Sequence, residues 1–247
     1  MPKTNREMLE APCRMTAESP LISVVVPAFN EAATIETLIG RVQNALAGKR
    51  FEIVIVDDCS TDGTAALIQK MSGGSIRTFC HARNQGKGAA LQTAFAEAAG
   101  EIVVIQDADL EYDPKDIPDL IQPIIDGHAD VVYGSRFRGQ SQRVHMFWHQ
   151  LANNLLTTFS NIMNNLNLSD METGYKAFRK SVLEQITIRE KRFGVEPEIT
   201  AKISKLHCRV YEVPISYHGR DYTQGKKIGF RDAVRAVWCI LRYRIAN

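Results

Sequence analysis

The chain is expected to fold as an α/β protein, with a doubly wound, mostly parallel sheet flanked by helices. Apolar, β-branched runs recur at LISVVVPA, FEIVIVDD, SIRTFCH, EIVVIQD and ADVVYG. Each run is continuous rather than alternating, the pattern of strands covered on both faces. Helical patterns lie between them, as parallel strands require. After the first strand, NEAATIETLIGRVQNALAG places Ile35, Leu38, Ile39, Val42 and Leu46 on one face and ends in a glycine. GKGAALQTAFAEAAG is alanine-rich and also closes on glycine, while DPKDIPDLIQPIIDG offers Asp113 as an N-cap and Pro114 in the first turn. The parallel sheet is therefore predicted through about residue 135.

The second part changes character. Residues 145–167 make a long helix candidate with Leu151, Leu155, Phe159, Ile162 and Leu166 on one stripe. DMETGYKAFRK follows, then a helix near 194–206, a strand in CRVYEVPISY and a final helix from about Phe230. That helix carries Val234, Val237, Trp238 and Leu241 on one side, flanked by arginines, and the stripe is expected to pack on the sheet rather than lie at an anionic surface. SYHGRDYTQGKKIGF is a polar, glycine-containing loop of the kind that moves. Residues 1–20 are expected to be a loose arm and 21–247 one domain, with a change of role near residue 140 but no linker.

Composition bounds the function. The 247 residues are 45% hydrophobic and 23% charged, with a net charge of +2, too little to argue for nucleic acid. Charge is nevertheless uneven. Between Glu101 and Asp130 every charged residue except Lys115 is acidic, whereas Arg220, Lys226, Lys227, Arg231, Arg235, Arg242 and Arg244 outnumber Asp221 and Asp232 in the tail. Acidic and basic patches in one chain suit a phosphate-bearing substrate held by both. Cys13, Cys59, Cys80, Cys208 and Cys239 form no zinc or C-x-x-C spacing and are expected to be reduced thiols of a cytoplasmic protein. No signal-peptide h-region is expected at the start, and no apolar run approaches the roughly 20 residues that span a bilayer.

In an open parallel sheet, ligands bind beyond the carboxyl ends of the strands. That rule selects PAFNE, DDCSTDGT, DADLE and GSRFRG. Asp57 is a candidate acceptor for a ribose or base, with Asp58 and Asp62 able to cap the next helix. Asp107 and Asp109 are hard oxygen donors leaving a buried strand, suited to Mg²⁺ or Mn²⁺, with Glu111 as a third ligand or a supporting group. Other motifs fail. NQGKGAAL lacks the glycine spacing and the Ser or Thr of a phosphate loop, and no G-x-G-x-x-G follows the first strand. None of the six histidines stands in a metal-type pair; His218 sits alone in the late loop.

Taken together, SVVVPAFNEAATI, EIVIVDDCSTDGT, NQGKGAALQTAF, IVVIQDADLEYDP, DVVYGSRF, DMETGYKAFRK and EVPISYHGRDYTQGKKIGF resemble family-2 glycosyltransferases of the A-type fold, from Leu21 to about Arg244. Within that family the chain is most similar to the polyprenyl (dolichyl) phosphate mannose and glucose synthases. The resemblance implies a nucleotide-binding half over 21–135 and an acceptor-side half over 136–247, with a mobile loop at 217–229. It implies that Pro27, Ala28, Glu31, Asp57 and Asp58 contact the nucleotide, and that Asp107 and Asp109 bind a divalent metal. Glu111 stands where related synthases often carry Gln, Arg136 would reach the diphosphate or the acceptor phosphate, and Arg220, Lys226 and Lys227 would close over the donor.

The implied reaction is inverting transfer of a hexose from a nucleoside diphosphate sugar (GDP-mannose or UDP-glucose type) to a polyprenyl phosphate at the cytoplasmic face of a membrane, or with a membrane-protein partner. A hydroxyl acceptor would instead need a base, for which Asp170 and Glu172 occupy the matching segment. A sugar-phosphate nucleotidyltransferase would need a glycine-rich, arginine-containing first loop, which PAFNEAAT does not supply. A non-catalytic nucleotide-binding module would not need the paired aspartates.

Overall fold

A computed structural model describes residues 19–138, 147–219 and 230–246 of the chain, with side chains of the last segment described from residue 233. The strands are β1 (Ile22–Ala28), β2 (Phe51–Asp57), β3 (Ile76–Cys80), β4 (Ile102–Ile105), β5 (Val131–Ser135), β6 (Lys176–Arg179) and β7 (Val210–Pro214). They form one seven-stranded sheet in the order β3-β2-β1-β4-β6-β5-β7. All pairings are parallel except those of β6, which runs antiparallel to both β4 and β5. The expected run of parallel strands thus holds through β4, but β5 is separated from it by a strand drawn from DMETGYKAFRK.

The helices are α1 (Ile35–Ala45), α2 (Thr64–Met71), α3 (Lys87–Glu97), α4 (Ile117–Ile125), α5 (Phe147–Asn164), α6 (Lys180–Leu183), α7 (Val195–Lys205) and α8 (Phe230–Ile245). Asp113 caps the 3₁₀ turn at Pro114–Asp116 that leads into α4, accepting from the Lys115 N–H. The continuous apolar strands are explained by two cores. Val24, Val26, Ile53, Ile55 and Val104 face α1 and α4, through Ile35, Leu38, Val42, Leu120 and Ile124. Val25, Val54, Val56, Val103 and Ile105 face α3 and α7, through Ala90, Leu91, Ala94, Val195 and Ile199.

The late helices use their apolar stripes differently: Phe159 and Leu166 of the 145–167 stripe reach the core, and the expected packing of the final helix's stripe on the sheet is corrected. On α5 the core side is Leu156, Phe159, Ser160 and Met163, while Leu155 and Ile162 are 64% and 73% exposed. On α8 the buried residues are Ala236, Cys239, Ile240 and Tyr243, and the stripe of Val234, Val237, Trp238 and Leu241 faces outward. Both stripes are genuine helical periodicities, and each helix has a second one that wins the core. Among the described residues the cysteines are free thiols, and no helix is long and apolar enough to cross a membrane.

Candidate active site

The loops that follow β1, β2 and β4 each contain a non-glycine residue in the left-handed region: Asn30 (φ 57), Cys59 (φ 64) and Leu110 (φ 60). For Cys59 and Leu110 this conformation is costly, and such strain persists where surrounding structure fixes it. The fixing contacts are visible for the first two loops. Asn30 N–H donates to Ser60 Oγ at 2.8 Å, and Asn30 Oδ1 accepts from the Thr61 N–H at 2.8 Å. Asp62 accepts from the Ala32 N–H at 3.1 Å and from the Thr64 hydroxyl at 2.6 Å, and the Glu31 N–H donates to Thr64 Oγ1 at 2.9 Å. Pro27 and Ala28 are buried at the end of β1, alongside Val56 and Asp57 of β2.

Asp57 and Asp58 do different things. Asp57 Oδ2 accepts from the Ser60 N–H at 3.0 Å, but Oδ1 is buried and has no hydrogen-bond partner among the described residues. Asp58 is fully used inside the protein: it accepts from the Gln85 and Gly86 N–H groups at 2.9 and 2.6 Å and meets His81 Nδ1 at 2.7 Å. Asp58 therefore anchors the loop before α3, and the carboxylate oxygen left unpaired among the described residues is Oδ1 of Asp57.

Beyond β4, Asp107 is bridged by an ammonium group. Lys87 Nζ lies 2.8 Å from Oδ1 and 2.9 Å from Oδ2. Lys87 is the lysine of NQGKGAAL, and its glycines serve packing. A Cβ at Gly86 or Gly88 would come within 2.3 or 2.0 Å of the Lys191 or Glu190 carbonyl oxygen. Burial works to lower the Lys87 pKa, but Asp107 and Glu196 outweigh it and hold the amine well above its ordinary value. Asp109 accepts from the Glu111 N–H at 3.1 Å. Glu111 Oε2 accepts from the Tyr217 hydroxyl at 2.7 Å, and among the described residues no group of three or more acidic, His or Cys side chains could hold a metal. Glu111, two residues beyond Asp109, thus has one oxygen engaged by Tyr217. Two carboxylates still fit Mg²⁺ or Mn²⁺, which commonly takes one or two with substrate phosphates, and the Lys87 ammonium shows that the fold already places positive charge against Asp107.

Aromatic rings floor this region. Tyr112 stacks on Tyr175 with centroids 5.2 Å apart and meets Tyr217 at 5.4 Å. The Tyr112 hydroxyl accepts from the Gly174 N–H at 3.0 Å. A Cβ at Gly174 would stand 2.4 Å from Asp107 Oδ2 and 2.9 Å from Lys87 Nζ, both side-chain ends that move more readily than backbone. Gly174→Ala is accordingly expected to leave the melting temperature nearly unchanged while lowering turnover about 10²-fold, the cost of displacing a reacting group by about 1 Å. Parallel melting and rate measurements check this.

Arg136, at the end of β5, is bound to Asp170. Its Nε donates to Oδ2 and its Nη2 to Oδ1, both at 2.7 Å, and Asp170 is 0% exposed. The guanidinium also stands 5.2 Å over the Tyr217 ring. Glu172 has a buried Oε1 without a partner among the described residues. Burial first, then Glu196 and Asp170, push its pKa from 4.5 up to about 7 against the pull of Lys176 and Arg136. Between those values the native chain holds a proton that the unfolded chain has lost, so stability falls as pH rises through the window and levels off above it. Urea unfolding at pH 4.5 and 8 is expected to show this loss in the native chain and not in Glu172→Gln.

The structure thus brings Asp107, Asp109, Glu111, Arg136 and Asp170 to the carboxyl edge of the sheet with Asp57. Arg220, Lys226 and Lys227 lie outside the described residues. Lys87, Glu196, Lys176 and the three tyrosines were not singled out as site residues by the sequence. For Lys87, the glycines on either side of a charged residue at a helix start were the available signal.

A family model described as Glycosyl transferase family 2 matches residues 23–187. A dolichol-phosphate mannosyltransferase of Pyrococcus furiosus is 32% identical over 215 residues, 84% of this chain and 60% of that protein. An undecaprenyl-phosphate 4-deoxy-4-formamido-L-arabinose transferase of Pseudomonas aeruginosa is 28% identical over 216 residues, 85% of this chain and 61% of that one. A dodecaprenyl-phosphate galacturonate synthase of Rhizobium johnstonii is 27% identical over 210 residues, 83% and 61%. The chain therefore spans about 60% of the length of the curated relatives it matches. Among solved structures, glucosyl-3-phosphoglycerate synthase from Mycobacterium tuberculosis, with Mn²⁺, UDP and phosphoglyceric acid, superposes with a TM-score of 0.72 at 20% identity, over 92% of this chain and 80% of that one. The superposition identifies the fold as the A type.

Proposed function

The chain belongs to glycosyltransferase family 2, and from that premise we propose that it moves a hexose, with inversion, from a nucleoside diphosphate sugar of GDP-mannose or UDP-glucose type to a polyprenyl phosphate. The observation that carries this reading is the convergence of Asp107 and Lys87 with Arg136 and Asp170 at the carboxyl edge of the sheet, in a chain whose relatives are named for transfer to lipid phosphates. Asp57 Oδ1 accepts a hydrogen bond from the base or ribose. Asp107 and Asp109 hold Mg²⁺ or Mn²⁺ with the donor's diphosphate, and the bound ion supplies Lewis-acid neutralisation of the leaving charge. Lys87 and Arg136 add positive charge beside it. Glu111, which accepts from the Tyr217 hydroxyl, is the third ligand or a supporting group beside Asp107 and Asp109. A phosphate monoester is ionised at neutral pH and attacks without a protein base.

A second reading, transfer to a hydroxyl, is favoured by Glu172 alone, whose open buried oxygen and pKa of about 7 suit a general base. Asp170, held at both oxygens by Arg136, does not fit that role. The test is release of nucleoside diphosphate from a panel of nucleotide sugars with Mg²⁺ or Mn²⁺, with and without a short polyprenyl phosphate. Turnover stimulated by the lipid phosphate is expected. Stimulation only by alcohol acceptors, with a rate that rises through about pH 7 and loses that limb in Glu172→Gln, would favour the second reading.

An anionic bilayer surface is the proposed partner of α5 and α8. These helices pack together, and Phe147, Trp148, Leu151 and Leu155 of one and Val237, Trp238 and Leu241 of the other face outward. Arg235 and Arg242 lie 4.3 and 4.7 Å from the Trp238 ring, a mixture of apolar and cationic groups suited to headgroups. Flotation with anionic vesicles is expected to recover the chain. Trp148→Ser with Leu155→Ser should weaken partitioning at least about 10-fold, from the apolar area lost.

A further inference from the structure

The ammonium of Lys87 has a second acceptor close by. Glu196 lies in the first turn of α7 and is 4% exposed. Its Oε2 is taken by Lys176 Nζ, which also donates to the Thr173 carbonyl and sits 4.8 Å from the Tyr133 ring centroid. Its Oε1 is buried with no hydrogen-bond partner among the described residues, although Lys87 Nζ stands only 3.4 Å away. An unsatisfied buried carboxylate oxygen is costly and calls for an explanation. The chain invests in this proximity. Gly86 and Gly88 admit the 190–191 backbone so closely that any side chain there would collide with it, and the Ala89 N–H donates to the Lys191 carbonyl at 3.2 Å. That contact docks the segment leading into α7 against the start of α3, and with it Glu196 beside Lys87.

We propose that Glu196 is a positioning residue that receives the Lys87 ammonium whenever Asp107 turns its carboxylate to a divalent cation. Resting on the metal-binding reading of Asp107, this deepens it: Lys87 pairs with Asp107 until a cation binds and then withdraws to Glu196 Oε1, shortening 3.4 Å to an ordinary hydrogen bond of about 2.9 Å. The exchange keeps the ammonium paired throughout. Asp107 is thereby neither left as an unpaired, half-buried charge without metal nor blocked with it.

Calorimetric Mn²⁺ titration of the full chain, without donor, tests the exchange through a cycle of Glu196→Gln, Lys87→Met and the double variant. Glu196→Gln should weaken Mn²⁺ binding about 5- to 10-fold, because the ammonium loses its charged refuge and competes for Asp107. Lys87→Met should tighten it. In the Lys87→Met background the glutamine should have little effect, giving a coupling of the size seen for contacting pairs. An equal effect of Glu196→Gln in both backgrounds, or none in either, would overturn the proposal while leaving Asp107 as a ligand. Should Glu196→Gln fail to fold once Lys176 loses its partner, Lys87→Met alone decides, and weaker or unchanged Mn²⁺ binding rejects the exchange. Asp107→Asn controls the premise: if it binds Mn²⁺ as the native chain does, the metal reading falls, and the exchange with it.

Discussion

Asp107→Asn is expected to lower turnover by about 10²- to 10³-fold, the usual cost of removing one preorganised electrostatic group from a site where charge develops. The fold should survive the change. Asp107 is 18% and Lys87 17% exposed, and Glu196 at 3.4 Å remains as a counter-charge for the lysine. Loss of rate with a nearly unchanged melting curve therefore separates chemistry from folding. The loss should fall on kcat more than on KM, since the carboxylate acts where the diphosphate departs and not on the sugar or base. Removing divalent ions with a chelator should reproduce most of the loss in the native chain and add little in Asp107→Asn. Native-like turnover in Asp107→Asn at saturating Mg²⁺ would remove this residue from the reaction.

What the sequence made legible follows from what each element shares with its own neighbours. β1, β2 and β4 and the faces of α1 and α4 were readable because their apolar spacing has one solution, and the carboxyl-edge rule then located Asp57 and Asp107. β6 was not readable. It is four residues long, and its first, Lys176, is a fully buried lysine whose counter-charge, Glu196, comes from twenty residues away. What covers the stripes of α5 and α8 was not readable, because periodicity reports an apolar face and not its partner. Outward-facing Leu155 and Trp238 give the same pattern as a core stripe. Lys87 was set aside as a failed phosphate loop. Its glycines answer to the approach of residues 190–191, a contact across a hundred residues that no local motif encodes.

The roles offered to Asp170 make opposite forecasts for its replacement. As a base, Asp170→Asn would lose rate and a pH limb with little change in stability. The geometry points instead to a holder. Asp170 has both oxygens on the Arg136 guanidinium, a further contact from the Arg136 N–H at 3.1 Å, and no exposure. Burial works against the Arg136 charge, and Asp170 more than offsets it, keeping the arginine well above its ordinary pKa. An asparagine would leave that charge uncompensated, since Asn153 Oδ1 at 3.2 Å contributes only a neutral acceptor. Breaking a buried pair from one side costs about 3–5 kcal/mol, which for a chain of this size is a melting temperature lower by roughly 6–20 °C. The companion double variant Arg136→Met with Asp170→Leu should regain much of that stability, because a buried ion pair exchanged for apolar groups of similar volume is often neutral. It should not regain transfer, since the guanidinium beside Tyr217 is then gone. Stability restored without activity would place the worth of this pair in positioning Arg136 toward phosphate. A stable Asp170→Asn that has merely lost a pH limb would return Asp170 to the role of base.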